Sequence, residues 1–334
     1  MMTTAEPYRA EPYVLDRDTA PAFWLVATLW MPMATGHQTA NRFSMIEQWM
    51  PTGLGPPTHR HPRANEGFYV IDGTVAYNAE GKTVRAGPGS FIHIPRLMPH
   101  SFSVDTADAH VLNFYAPAGF ELVVMSSARL ADERRRPTLE ESAPPSPREI
   151  AILSKLFGQE SVEGMPFCQP SLPPLMATSA DVWSIGDLKF ARSDDVAPLR
   201  MFGLEWRILG GADDTDGTYD LIEIVAPVGA AMPARRLGQD EALYVLDGTI
   251  EGAFDGKAFA AKEGSFVYAP RGSILAWSAS GGRAKCLCFH IPGGLDRLLL
   301  RSAGVEQHFL DLLATRASPN IAATSRKVGV GICD

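Results

Sequence analysis

EGFYVIDGTV at residues 66–75 returns as EALYVLDGTI at residues 241–250, and this pairing decides how the rest of the chain is read. Working outward at the same displacement, GPGSFIHIPR at 87–96 answers to KEGSFVYAPR at 262–271, and FYAPAGFE at 114–121 to FHIPGGLD at 289–296. Upstream, MIEQWMPTG at 45–53 answers to LIEIVAPVG at 221–229 with a displacement one residue longer, so the second copy has lost one residue in between. Self-similarity at a fixed displacement marks a repeated structural unit. Within each copy the apolar positions alternate or run in short blocks, and Asp72-Gly73, Glu80-Gly81 and Asp247-Gly248 mark turns between them. The expectation is an all-β chain of two tandem antiparallel barrels with a few short helices.

The repeat divides the 334 residues into a first barrel at 1–136, a proline-rich linker at 137–174 and a second barrel at 175–334, with the linker lying outside both barrels. Inside the linker, Ser146 before Pro147 with Glu149 three positions on reads as a helix start. A second short helix is expected from Gly294 to Ser302. A composition of 30 Gly and 26 Pro with 46% hydrophobic and 20% charged residues agrees with many strands and tight turns.

A net charge of −8 and the lack of a basic stretch argue against nucleic acid as a partner. No apolar run reaches the roughly 18 residues of a membrane span, and the first residues do not read as an export signal, so the cytoplasm is the expected compartment. Cys168, Cys286, Cys288 and Cys333 contain no C-x-x-C pair. Cys286 and Cys288 share one face of a strand and read as small apolar fillers.

The chemistry gathers in the first copy, where Gly53 is followed after five residues by His59, then His61, Glu66 and Gly73, and later Gly89, Pro95 and His100. Successive strand side chains alternate faces, so His59 and His61 can both point into a barrel while Glu66 and His100 arrive from neighbouring strands. Buried together without a cation they would be polar groups lacking partners. Three imidazoles and one carboxylate suit a single divalent transition ion, iron, manganese, nickel, cobalt or copper, with open positions left over. His37, His93, His110, His290 and His308 stand alone and read as surface or hydrogen-bonded residues. In the second copy the same frame carries Arg235, Leu237, Glu241 and Leu275, and only the carboxylate survives. That barrel is expected to hold no catalytic metal, with Arg235 either paired with Glu241 or facing solvent.

The spacing of these residues resembles the two motifs of the cupin superfamily, with Leu97 where the second motif often has glycine and Val104 where it often has asparagine. The stretches EQWMPTGLGPPTHRHPRANEGFYVIDG, GPGSFIHIPRLMPHSF and YAPAGFE are similar to those of bacterial two-cupin quercetin 2,3-dioxygenases. The resemblance implies two jelly-roll barrels, one metal held by His59, His61, Glu66 and His100, and cleavage of the central ring of a flavonol by dioxygen. It also implies that Glu66 accepts the proton of the substrate hydroxyl, helped by a proton affinity raised through burial. Parity adds Phe68 and Phe102 as walls for a small aromatic substrate, with Met98, Phe43 and Met45 as further lining. The segment 18–43, with Trp24, Trp30, Met31 and Met33, is expected to form an apolar rim at the pocket mouth. Pairing of chains into a homodimer is expected of such proteins. The other readings are a tailoring oxygenase acting on another aromatic or polyketide metabolite, and a binding or regulatory protein of the pirin type.

Overall fold

The structure is a computed structural model that describes residues 10–142, 146–162, 183–185, 188–236, 238–302 and 305–316. Leu237, Cys168, Cys333 and the 163–174 part of the linker lie outside the described residues. The stretch that opens the repeat, EGFYVIDG, sits on the strand Asn65–Asp72, and its partner EALYVLDG on Asp240–Asp247. Both are buried on both faces, and alternation sends each face to a different core. Phe68 and Val70 enter the first barrel while Tyr69 faces the other barrel. Leu243 and Val245 enter the second barrel while Ala242 and Tyr244 face back.

Each copy folds as two facing antiparallel sheets, so the chain is all-β with short helices. In the first barrel, the central strands Ser44–Pro51, Asp108–Ala116, Asn65–Asp72 and Ser90–Ile94 lie in a nine-stranded sheet. Opposite stands a five-stranded sheet in the order Glu160–Ser161, His59–Arg60, His100–Val104, Val75–Ala79, Lys82–Ala86. The second barrel repeats this with seven and four strands. Gly73 and Gly248 end the opening strand of the repeat in left-handed backbone, at φ +79° and +78°. A Cβ there would lie 2.3 Å from the Asp108 or the Arg283 carbonyl oxygen, so glycine is required in both copies.

The larger sheets pack back to back, and the apolar cluster between them draws on both copies, including Phe43, Phe91 and Phe114 from one and Tyr219, Phe266 and Phe289 from the other. Each copy also lends an early strand to its neighbour. Tyr13–Asp16 pairs with Ser265–Ala269 of the second barrel, and Leu188–Arg192 with Ser90–Ile94 of the first. The limits 1–136 and 175–334 therefore follow the repeat but not the sheets, because each of the two larger sheets takes strands at one edge from the other copy.

The linker does not stand outside both barrels. The helix Pro147–Phe157 begins at a full Ser146/Glu149 capping box. The residues after it add the short strand Glu160–Ser161 to the first barrel, pairing Ser161 with His59. The helix expected after the last strand is present as Leu295–Ser302.

Because the core between the barrels is shared, its loss should unfold both. Phe266 is fully buried against Tyr13 and Phe43. We expect Phe266→Ala to cost about 3–5 kcal/mol. A denaturant titration should show one transition shifted as a unit, whereas two separate transitions would contradict the shared core.

Candidate metal centre

His59 and His100 face each other on adjacent antiparallel strands, Glu66 opens the strand Asn65–Asp72, and His61 follows the short strand His59–Arg60. The structure brings all four together, buried, with one ligand atom from each within 4.8 Å of every other. Each imidazole is held by a backbone carbonyl on its Nδ1 side: His59 by Pro57 at 2.9 Å, His61 by Gly158 at 3.1 Å and His100 by Met98 at 2.9 Å. A carbonyl only accepts, so each Nδ1 carries the proton and each Nε2 presents a lone pair inward.

Those lone pairs meet Glu66. His100 Nε2 lies 2.7 Å from Glu66 Oε2. His61 Nε2, 3.3 Å from the same oxygen, makes no hydrogen bond. Two acceptors facing each other at that distance need a proton or a cation between them. The donor set of three neutral imidazoles and a carboxylate fits a divalent transition ion. The other oxygen of Glu66 is fixed by Tyr115 Oη at 2.6 Å and Asn113 Nδ2 at 3.0 Å, which leaves Oε2 for the ion. Sequence reading missed Tyr115 and Asn113, although they stand two apart on one strand and so share its inward face.

Burial presses the His59 ring toward the neutral form, down to about 3 from its ordinary 6.5, with His100 adding to the effect. For Glu66, burial alone would raise the carboxyl, but His61 and His100 outweigh it and hold it well below the usual carboxylate range. The expected rise in proton affinity is thus reversed, since the His61 and His100 rings crowd one carboxylate. Both shifts have the same linkage sign. The unfolded chain takes up protons first, so stability falls as pH drops from about 6.5 toward 3 through His59, and further as Glu66 is protonated.

Phe68, Phe102 and Met98 line the interior beside this cluster, with Phe68 and Phe102 at 5.3 Å between ring centres. Phe43 and Met45 do not join them. Both belong to the core between the barrels, where Phe43 lies 5.8 Å from Tyr268, because the strand beginning at Ser44 turns its odd residues away from the first barrel. Trp24, Met31 and Met33 are buried in that same core, so they form no rim at the mouth. Trp30, partly buried, donates its indole N–H to the Leu25 carbonyl. Leu97 takes φ +70°, a left-handed conformation that accounts for the glycine usual at this position.

The lone histidines find other partners. His110 meets Glu47 at 2.7 Å and stacks on Trp49, and His93 meets Tyr219 at 2.6 Å. In the second barrel, Arg235 pairs with Glu241 inside the core and donates to the Leu275 carbonyl. The solvent-facing alternative for Arg235 does not hold.

His59→Ala or His100→Ala should abolish binding of this ion, read by metal analysis after dialysis, while Glu241→Gln should leave it in place. Gly158, at φ +93° with Arg63 3.0 Å from where a Cβ would stand, sets the carbonyl that orients His61. Gly158→Val should lower metal affinity by roughly 10–100-fold, as losses of such supporting contacts do. Unchanged affinity would mean that the linker carbonyl does not position the ring.

Residues 45–115 match the family model described as a cupin domain. The quercetin 2,3-dioxygenase of Bacillus subtilis (strain 168) is 26% identical over 118 residues, a match spanning 35% of this chain and only 35% of that protein. Among solved structures, the Lactobacillus farciminis oxalate decarboxylase formate complex superposes with a TM-score of 0.58 at 12% identity, covering 88% of this chain and 92% of that one. Bacillus subtilis oxalate decarboxylase at pH 4.6 gives 0.55 at 14% identity over 93% and 87%, and protein Ylba from E. coli 0.54 at 12% over 87% and 94%. At such identities these structures bear on the fold alone. No helix among the described residues is long and apolar enough to cross a membrane. The first copy thus contains a cupin domain, and the second barrel is built on the same frame.

Proposed function

We propose that the first barrel is the active site of a metal-dependent dioxygenase of the quercetin 2,3-dioxygenase type, acting on a flavonol or similar enolic phenol. The observation that carries the reading is the pair of lone pairs at His100 Nε2 and Glu66 Oε2, 2.7 Å apart at the inner end of an aromatic-walled interior. An ion held by His59, His61, Glu66 and His100 would supply Lewis acidity and open positions for small ligands. The likeness of 118 residues of the chain to the Bacillus subtilis enzyme supports the oxygenase class.

The protein's own groups divide the work. Glu66 is ionised at neutral pH, and with Oε1 occupied by Tyr115 and Asn113 its Oε2 would serve both as a ligand of the ion and as the acceptor of the substrate hydroxyl's proton. Phe68 and Phe102 offer a flat ligand two faces to pack on, and Met98 adjusts to its outline. Tyr77 packs beside both, 4.9 Å from Phe68 and 5.7 Å from Phe102. Its buried hydroxyl has no hydrogen-bond partner among the described residues, so it is a free donor for a substrate oxygen.

Dioxygen uptake by the metal-loaded protein, measured against a panel of flavonols and other aromatic metabolites, tests the assignment. Uptake with a flavonol is expected. Uptake only with another aromatic compound would favour a tailoring oxygenase, and silence across the panel would favour a binding protein. Glu66→Gln, with metal content measured in the same preparation, should lower turnover by roughly 10²–10⁴. Near-normal turnover in a metal-replete variant would reduce Glu66 to a ligand. Tyr77→Phe should raise KM about tenfold with kcat little changed, the loss of one hydrogen bond.

A further inference from the structure

We propose that the second barrel holds a metal ion of its own, of the zinc type, on Glu241, Cys288 and His290. Counting donors only at the positions that repeat the first barrel's ligands left Glu241 isolated there. The tertiary structure supplies two more from the strand Ala284–Ile291, where Cys288 and His290 stand two apart and point inward. They occupy the places that Asn113 and Tyr115 hold in the first copy. Neutral groups that merely steady a glutamate in one barrel are thus replaced in the other by two side chains that bind metals.

The distances suit a small tetrahedral ion. Cys288 Sγ lies 3.5 Å from His290 Nε2, His290 Nε2 lies 4.0 Å from Glu241 Oε2, and one ligand atom from each of the three lies within 4.8 Å of the others. Bonds of about 2.3 Å to sulfur and 2.0–2.2 Å to nitrogen or oxygen give ligand-to-ligand edges of roughly 3.3–3.6 Å, so the thiol and the imidazole already stand at such an edge and Glu241 needs to approach the imidazole by roughly half an ångström.

The surroundings are those of a prepared ligand set. His290 Nδ1–H donates to Asp220 Oδ1 at 2.7 Å, which leaves the lone pair on Nε2 facing the thiol. Asp220 is itself anchored by the backbone N–H groups of Gly294 and Leu295, at 2.9 and 2.8 Å, at the start of the helix Leu295–Ser302. Glu241 is 2% exposed, and its Oε2 has no hydrogen-bond partner. Arg235 engages the other oxygen, so it competes with no ligand atom of His290 or Cys288. The charges balance: a divalent ion and one guanidinium against a thiolate, Glu241 and Asp220. A thiolate ligand, which the first barrel lacks, favours zinc over the harder ions that three imidazoles and a carboxylate accept. Three protein ligands leave a fourth position for water.

The test uses the full-length protein, stripped of metal and then titrated separately with zinc and with cobalt(II). Two zinc equivalents per chain are expected for the wild type, one for Cys288→Ser, and one for His61→Ala, which loses the other site. The cobalt form should show a thiolate-to-cobalt charge-transfer band in the near ultraviolet that persists in His61→Ala and vanishes in Cys288→Ser. The wild-type band needs no variant to fold. Its absence at saturating cobalt, or retention of both zinc equivalents by Cys288→Ser, would overturn the proposal.

Discussion

Glu66 Oε2 and the Nε2 atoms of His61 and His100 point at one another, buried inside the first barrel, and each ring has spent its only N–H on a backbone carbonyl. Left as acceptors alone, these groups would destabilise the barrel, because none has a hydrogen to offer the others. A cation removes the conflict. The three carbonyls of Pro57, Met98 and Gly158 do more than fill hydrogen-bonding capacity, since they choose the tautomer that makes metal binding the natural resolution.

That constraint reaches well beyond the barrel wall. Gly158 belongs to the segment joining the two copies, and its helix is started by a capping box and ended by the left-handed glycine whose carbonyl meets His61. The connection between the barrels is therefore part of the first site's support. The barrels are also tied by the exchanged strands and by polar contacts at their edges. Arg17 bridges Glu47 and Tyr244, Arg42 bridges Asp240 and Tyr268, and Tyr69 donates to Glu223. Each contact joins one copy to the other, so rigidity around the site depends on both.

The two interiors show how one frame supports different chemistry. In the first, a glutamate steadied by an amide and a phenol faces three imidazoles. In the second, the corresponding glutamate meets an arginine, a thiol and an imidazole fixed by an aspartate. The strands and glycine turns are the same because they answer to backbone geometry and to the shared core. The inward side chains are free to differ because each barrel satisfies its own buried charges locally.

How much of this was legible in the sequence depends on whether a feature is local or shared. The repeat, the all-β class, the helix at Ser146 and the helix after the last strand were readable, because period-two alternation, turn glycines and a capping box act over a few residues. The convergence of His59, His61, Glu66 and His100 was readable because parity and spacing alone direct them inward. Phe43 and Met45 were misplaced because in a sheet buried on both faces apolar character no longer says which face is which. Trp24, Met31 and Met33 vanish into the shared core for the same reason. The low proton affinity of Glu66 came from rings separated in sequence but adjacent in space. Only the tertiary structure could decide that Gly158 reaches His61, that each copy completes its neighbour's sheet, and that Cys288 and His290 close on Glu241. Each of these joins strands whose register is fixed by packing and not by any local pattern in the chain.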